Sequence, residues 1–221
     1  AQGIAVNAAP LRALVLAGGR SSRMGRDKAA LEYAAGQSQL DRAVELLRPL
    51  AKSVHISVRV DQAADELRQR HEQILDRGDV EGPVAGIRAA QIQDPAAAWL
   101  VVACDLPLLD ESTLRELVAG RDPTKTATAF RSSHDGLPEP LCAIWEPGSA
   151  PLLQRFLDAG RNCPRKFLIS SDTLLLDQPH PEALDNVNTP DELAAARQRL
   201  AAGSAPSRPL RVQYYALLRE Q

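Results

Sequence analysis

Aromatic side chains are scarce in this sequence: three Phe, three Tyr and two Trp make up 4% of 221 residues. No stretch interleaves them with basic residues, so the stacking platform of a single-stranded nucleic-acid binder is missing. An excess of one charge is missing too, since 26 Lys and Arg face 28 Asp and Glu for a formal net charge of −2. That balance leaves no electrostatic footprint for a nucleic acid or an anionic membrane surface. No apolar run approaches the roughly 20 residues that span a bilayer, and no signal peptide is legible. Cysteine is sparse and odd in number, with Cys104, Cys142 and Cys163 far apart and no C-x-x-C pair. The three are expected to be reduced thiols of a cytoplasmic protein, neither a disulfide frame nor a zinc site. The four histidines (His55, His71, His134 and His180) fall into no H-E-x-x-H or Ser/His/Asp pattern. They are expected at the surface or in turns.

What is present is alternation. Arg12–Leu16, Val54–Val58, Gln73–Leu75 and Ala98–Ala103 read as strands, and Thr126–Phe130 and Leu141–Trp145 as two more around a Ser-Ser-His-Asp-Gly turn. Between them lie helical patterns at Gln39–Leu50, Gln62–His71, Gly82–Gln93, Asp110–Ala119, Pro151–Ala159 and Pro190–Leu200. Asp110 and Thr189 are the expected N-caps, with Pro190 at the first helical position. Strands alternating with helices predict a three-layer α/β/α, Rossmann-like domain with a mostly parallel sheet. Such sheets bind ligands at the carboxyl ends of their strands. The expected organisation is a tail at 1–10, one domain at 11–201, a linker at 202–209 and a strand-like tail at 210–221. No internal repeat is evident.

Two loops belong at that sheet edge. The first, Leu16-Ala-Gly-Gly-Arg-Ser-Ser-Arg-Met-Gly-Arg-Asp-Lys28, follows the first strand. Gly18, Gly19 and Gly25 can take φ > 0 and let backbone N–H groups approach a ligand, as in an anion-binding nest. Arg20, Arg23, Arg26 and Lys28 surround them with positive charge. The spacing matches neither the P-loop nor the dinucleotide fingerprint. The second loop is Cys104-Asp-Leu-Pro107, after the fourth strand. In isolation Asp105 reads either as a turn cap or as a hard oxygen ligand for Mg²⁺, which takes one or two carboxylates plus phosphate oxygens and water. Gly82-Pro-Val-Ala-Gly86 is either an ordinary helix start or a backbone surface against which a flat base can lie. Asn186-Val-Asn-Thr-Pro190 has capping chemistry.

Taken together, these strings resemble the molybdenum cofactor guanylyltransferases, the MobA-like nucleotidyltransferases, from about Arg12 to about Leu200. The resemblance implies that Leu16, Ala17, Gly18, Gly19, Lys28, Ser57, Asp76, Gly82, Gly86 and Asp105 bind GTP. It gives Lys28, Arg23 and Asp105 the catalytic roles, and Asp105 with Asn188 the metal. Arg165, Lys166 and Asn186 fall in the region that would receive the pterin. The implied reaction is transfer of GMP from GTP to the terminal phosphate of molybdopterin or Mo-molybdopterin, with Mg²⁺ as cofactor. Implied protein partners are molybdoenzyme apo-proteins and molybdenum insertion proteins. A cytidylyltransferase or sugar-phosphate nucleotidyltransferase, and a non-catalytic nucleotide or pterin carrier, are the competing readings. Leu210–Gln221 resembles the first strand of a molybdopterin-synthase sulfur carrier, without that carrier's Gly-Gly end. It is either the truncated start of a fused ubiquitin-like domain or a chance likeness.

Overall fold

The computed structural model describes residues 8–19, 27–34, 36–76, 78–187 and 189–203. In chain order the elements are β1 (Leu11–Leu16), β2 (Glu32–Ala34), β3 (Gln37–Ser38), α1 (Gln39–Leu47), β4 (Val54–Val58), β5 (Gln73–Leu75) and α2 (Pro83–Gln93). There follow β6 (Ala98–Ala103), α3 (Glu111–Ala119), β7 (Ala127–Arg131), β8 (Pro138–Trp145), α4 (Ser149–Asp158), α5 (Pro164–Ile169), β9 (Thr173–Leu176) and α6 (Pro190–Gly203). Seven strands form one sheet in the order β5-β4-β1-β6-β8-β7-β9. Only β8 runs against the rest, pairing antiparallel with both β6 and β7. The expected mostly parallel sheet is therefore present.

The core follows from strands that are apolar on both sides. Ala13 and Val15 of β1, with Leu100 and Val102 of β6, pack against Leu40, Val44 and Leu47 of α1 and Leu114 and Leu117 of α3. Leu14, Trp99 and Val101 point the other way, toward Val84 and Ile87 of α2, Phe156 of α4 and Phe167 of α5. Burial on both faces explains why β6 is a continuous apolar run, buried at all six positions. A small third cluster lies apart, where Leu31, Val187 and Ala196 pack with Leu108, Leu193 and Leu200.

Local signals set most boundaries. Ser38 caps α1 by accepting from Asp41 N (3.0 Å), and Asp110 caps α3 by accepting from Thr113 N (2.7 Å). Thr189 and Glu192 bond reciprocally at the start of α6, a capping box that stops the helix from beginning earlier. Three expectations need correction. Gln62–His71 is not a helix: it holds two short 3₁₀ turns, Val60–Gln62 and Arg68–Arg70. The stretch has no apolar stripe to bury, and the Arg68 side chain is instead drawn inward, 2% exposed. His55 is neither at the surface nor in a turn. It is a buried β4 residue, edge-on to Trp99, with Ser53 Oγ at 3.0 Å. Burial lowers its pKa below the ordinary histidine value, ahead of the opposing effect of Glu72. The segment 164–176 contains the short helix α5 and the edge strand β9, neither of which was anticipated. The tail at 210–221 lies outside the described residues.

At the sheet edge where β1 and β6 begin, Glu146 is 2% exposed and carries a paired charge. Arg121 donates to both its carboxylate oxygens (2.7 and 2.8 Å) and to the carbonyl of Ala9 (3.0 Å). Arg121→Ala leaves that carboxylate buried without its partner and should destabilise the protein by about 3 kcal/mol or more. The urea midpoint should fall at unchanged slope. A loss under ~1 kcal/mol, the surface-pair scale, would show that Glu146 is solvated once Arg121 is gone.

Candidate active site

A cleft of about 700 Å³ opens along the carboxyl ends of β5, β4, β1 and β6. That volume is in the range of small-molecule sites. The strand order turns back at β1, with β4 on one side and β6 on the other, and this is where open α/β sheets bind ligands. Parallel register sets the geometry: Leu16 lies beside Ser57 and also beside Ala103.

Each strand end contributes. Leu16, Ala17, Gly18 and Gly19 leave β1 along one wall. Ser57 lies one residue before the end of β4, Asp76 follows β5, and Asp105 follows β6 at the opposite side. Gly82 and Gly86 bring the start of α2 to the cleft. Lys28 opens the 3₁₀ turn Lys28–Ala30, which Asp27 caps by accepting from Ala29 N. Lys28 Nζ lies 3.1 Å from Asp105 Oδ2 although 77 residues separate them. Every described residue of the expected GTP set thus lines this cleft. Arg23 and Asn188, like Arg20, Gly25 and Arg26, lie outside the described residues. The expected pterin residues do not line the cleft. Arg165 is tied to Asp135 (2.9 Å) and Glu139 (3.1 Å), while Lys166 and Asn186 are exposed. Asn186 precedes Val187, whose N–H bonds the carbonyl of Asp105.

The glycines act differently from expectation. Neither Gly18 nor Gly19 has a positive φ. Gly18 lets Asp76 come close: a Cβ there would stand 2.9 Å from Asp76 Oδ2 and push the carboxylate aside. Gly82 does need its freedom: its φ is +83°, and open space surrounds the position. Gly86 also serves packing. A Cβ on it would meet Ser57 Oγ at 2.2 Å and Leu16 Cδ2 at 2.9 Å, so it lets α2 lie close on β4 and β1.

Ser57 is 2% exposed, and its hydroxyl donates to Asp76 Oδ1. It therefore orients the carboxylate. Burial raises the Asp76 pKa above the ordinary carboxylate value, with the Ser57 hydrogen bond and Arg59 opposing. Burial also holds the Cys104 thiol protonated, next to Asp105, which removes it as a nucleophile. No histidine lines the cleft. Among the described residues no cluster of three His, Cys, Asp or Glu forms a metal cage. Asp105, set apart from Asp76 at the β6 side of the cleft, suits an ion that draws most of its ligands from phosphate and water. The Asp27 oxygens are engaged by Arg68 and by Ala29 N.

Two site residues escaped the sequence reading. Arg59 Nη1 donates to the carbonyl of Gly18 (2.8 Å), and Arg68 Nη2 to that of Ala17 (3.0 Å). Neither belongs to a motif. The one local cue is acid spacing, with Asp61 bonding Arg59 and Asp65 bonding Arg68.

Gly86→Ala should overpack the α2–β4 contact and cost about 1–3 kcal/mol, the scale for an added core methyl. Adding Ser57→Gly should recover part of that loss in thermal unfolding. No recovery would show that Leu16, not Ser57, bears the clash.

Comparison with known proteins agrees with the geometry. Residues 13–175 match the MobA-like NTP transferase domain. The molybdenum cofactor guanylyltransferase of Pseudomonas syringae pv. syringae is 34% identical over 82% of this chain and 90% of its own length. The molybdenum cofactor biosynthesis bifunctional protein of Synechocystis sp. is 32% identical over 85% of this chain, which spans only 54% of that longer relative. The solved structure of molybdopterin-guanine dinucleotide biosynthesis protein A from Archaeoglobus fulgidus shares the fold. Its TM-score is 0.70 at 24% identity, with 86% of this chain and 99% of that one covered. With the domain match extending from β1 into β9, the chain belongs to the MobA-like NTP transferase family and is a nucleotidyltransferase.

Proposed function

We propose that this chain transfers GMP from GTP to the terminal phosphate of molybdopterin, releasing pyrophosphate and forming a guanine dinucleotide of the cofactor. One observation carries the reading: Lys28 and Asp105, from distant parts of the sequence, meet at 3.1 Å in a cleft whose other end holds Asp76. The names of the guanylyltransferase relatives supply the base and the acceptor. Two polyanions must meet, so their repulsion is a main obstacle. Lys28, Arg23 and the Gly18–Gly19 backbone hold the triphosphate and take up charge as pyrophosphate departs. Asp105 would hold Mg²⁺, which would supply neutralisation of phosphate charge. Asp76, aimed by Ser57, accepts hydrogen bonds from the guanine edge. Catalysis is positioning and electrostatics, as in phosphoryl transfer generally. The acceptor is a phosphate monoester with a second pKa of about 6, so it needs no enzyme base at neutral pH.

Pyrophosphate release with molybdopterin and Mg²⁺ should require GTP, with CTP and UTP inactive. Preference for CTP would convert the assignment to a cytidylyltransferase, and tight binding without turnover would make the protein a carrier. Lys28→Ala should lower kcat/KM for GTP by about 10²–10³, the scale for one preorganised donor. Normal turnover in that variant would remove Lys28 from the site.

Acidity tests the base contact separately. Asp76 must be ionised to accept from guanine, and burial raises its pKa. GTP affinity should therefore be full at neutral pH and fall on acidification, starting above the ordinary carboxylate range near 4. Asp76→Asn should flatten that dependence. An Asn variant that keeps the same acid limb would place the titrating group elsewhere.

A further inference from the structure

Ala17, just after β1, and Asp27, which caps the Lys28 turn, are held by one side chain distant in sequence. Arg68 Nη2 donates to the carbonyl of Ala17 (3.0 Å) and to Asp27 Oδ1 (3.1 Å), while Nη1 donates to Asp27 Oδ2 (2.6 Å). Asp65 Oδ1 anchors the guanidinium from behind, accepting from Nη1 and from the Arg68 backbone N–H. At 2% exposure the group is inaccessible to solvent and ligand. The Asp27 oxygen that accepts from Arg68 Nη2 also caps the turn on which Lys28 stands. The order of contact is therefore Ala17 to Arg68 to Asp27 to the Lys28 turn.

We propose that Arg68 is a positioning residue for the phosphate-binding half of the site, tying Ala17 to Asp27 and thereby fixing the Lys28 turn against the nucleotide's phosphates. This inference rests on the nucleotidyl-transfer reading given above. A guanidinium is required because only its planar fork can grip a carboxylate at two points and still donate to a carbonyl. An ammonium in its place keeps the charge but not the fork. The base-reading half, Ser57 and Asp76, has no bond to Arg68 among the described residues.

The test separates phosphate binding from base binding in the full chain. Arg68→Lys is titrated with GTP by calorimetry and with guanosine by ligand-observed NMR, at a temperature where circular dichroism shows it folded. GTP binding should weaken about tenfold, the scale of one lost charge-assisted hydrogen bond, with guanosine binding unchanged. In combination with Lys28→Ala, Arg68→Lys should cause little further loss, because the two changes act on one contact. Equal weakening of GTP and guanosine, or full additivity with Lys28→Ala, would overturn the proposal and leave Arg68 as a general support of the fold. Should Arg68→Lys fail to fold, Asp27→Asn weakens the grip while keeping the cap. It must then lower GTP binding selectively, and an unchanged ratio of GTP to guanosine affinity sinks the idea. If the wild-type chain prefers another triphosphate, the guanylyl assignment fails on its own. The same ratio, measured with that nucleotide and its nucleoside, still decides the role of Arg68.

Discussion

Parallel pairing along β4, β1 and β6 aligns Ser57, Leu16 and Ala103 in one row across the sheet. Hydrogen bonds between strands hold that row, and two apolar layers pressed on both faces keep it from slipping. The chemical groups of the cleft begin within two residues of the row: Gly18 after β1, Arg59 after β4, Asp105 after β6. Asp76 follows β5 directly, and β5 is registered on β4. A register change in any of these strands would move a functional group along the edge by a residue's length, about 3.3 Å. That displacement exceeds the tolerance of a hydrogen bond.

The cleft must accommodate negative charge without leaving its own cations unsolvated. Among the described residues it does so by giving its cations anionic partners close by. Lys28 is paired with Asp105, Arg59 with Asp61, and Arg68 with Asp27 and Asp65. Carboxylates thus screen the cations while the phosphates are away. The Lys28–Asp105 pair is half-open to solvent, so exchanging its partners involves little desolvation. Arg68 is enclosed, and its partners are part of the fold.

Much of this was legible in the sequence because the decisive groups sit in contiguous strings. Leu16–Lys28, Gly82–Gly86 and Cys104–Pro107 each carry a motif and each follow or open a regular element. Their meeting in one cleft follows from strand order, which alternation alone predicts in outline. What escaped reading depends on long-range packing. Arg68 looks like surface charge because its three neighbours in sequence, Gln69, Arg70 and His71, are polar. Only the fold supplies Ala17 and Asp27. His55 looks like a turn residue until Trp99 covers it. Gly86 invites a ligand-based explanation, whereas the contact that excludes a side chain is with Ser57. Arg165 and Lys166 suggested an anion site. Phe167, which stacks on Trp145, shows that the segment is placed by its apolar side.

The small cluster that joins Leu31 to Val187 and Ala196 bears on the order in which the protein is made. Strands β1, β4, β5 and β6 are all complete by Ala103, so the central sheet has its parts early in synthesis. The Lys28 turn is different: apart from Leu108, the apolar residues clustered with Leu31, three residues on, come from Val187 onward, and Arg197 grips the carbonyl of Glu32 at a separation of 165 residues. Chains emerge from the ribosome at about 5–20 residues per second, so that cover trails the sheet by several seconds or more. During that interval the nascent polypeptide has a nearly complete core but an unsupported flank at the Lys28 turn. The Lys28 side of the cleft thus gains its support only when residues from Val187 onward have been translated.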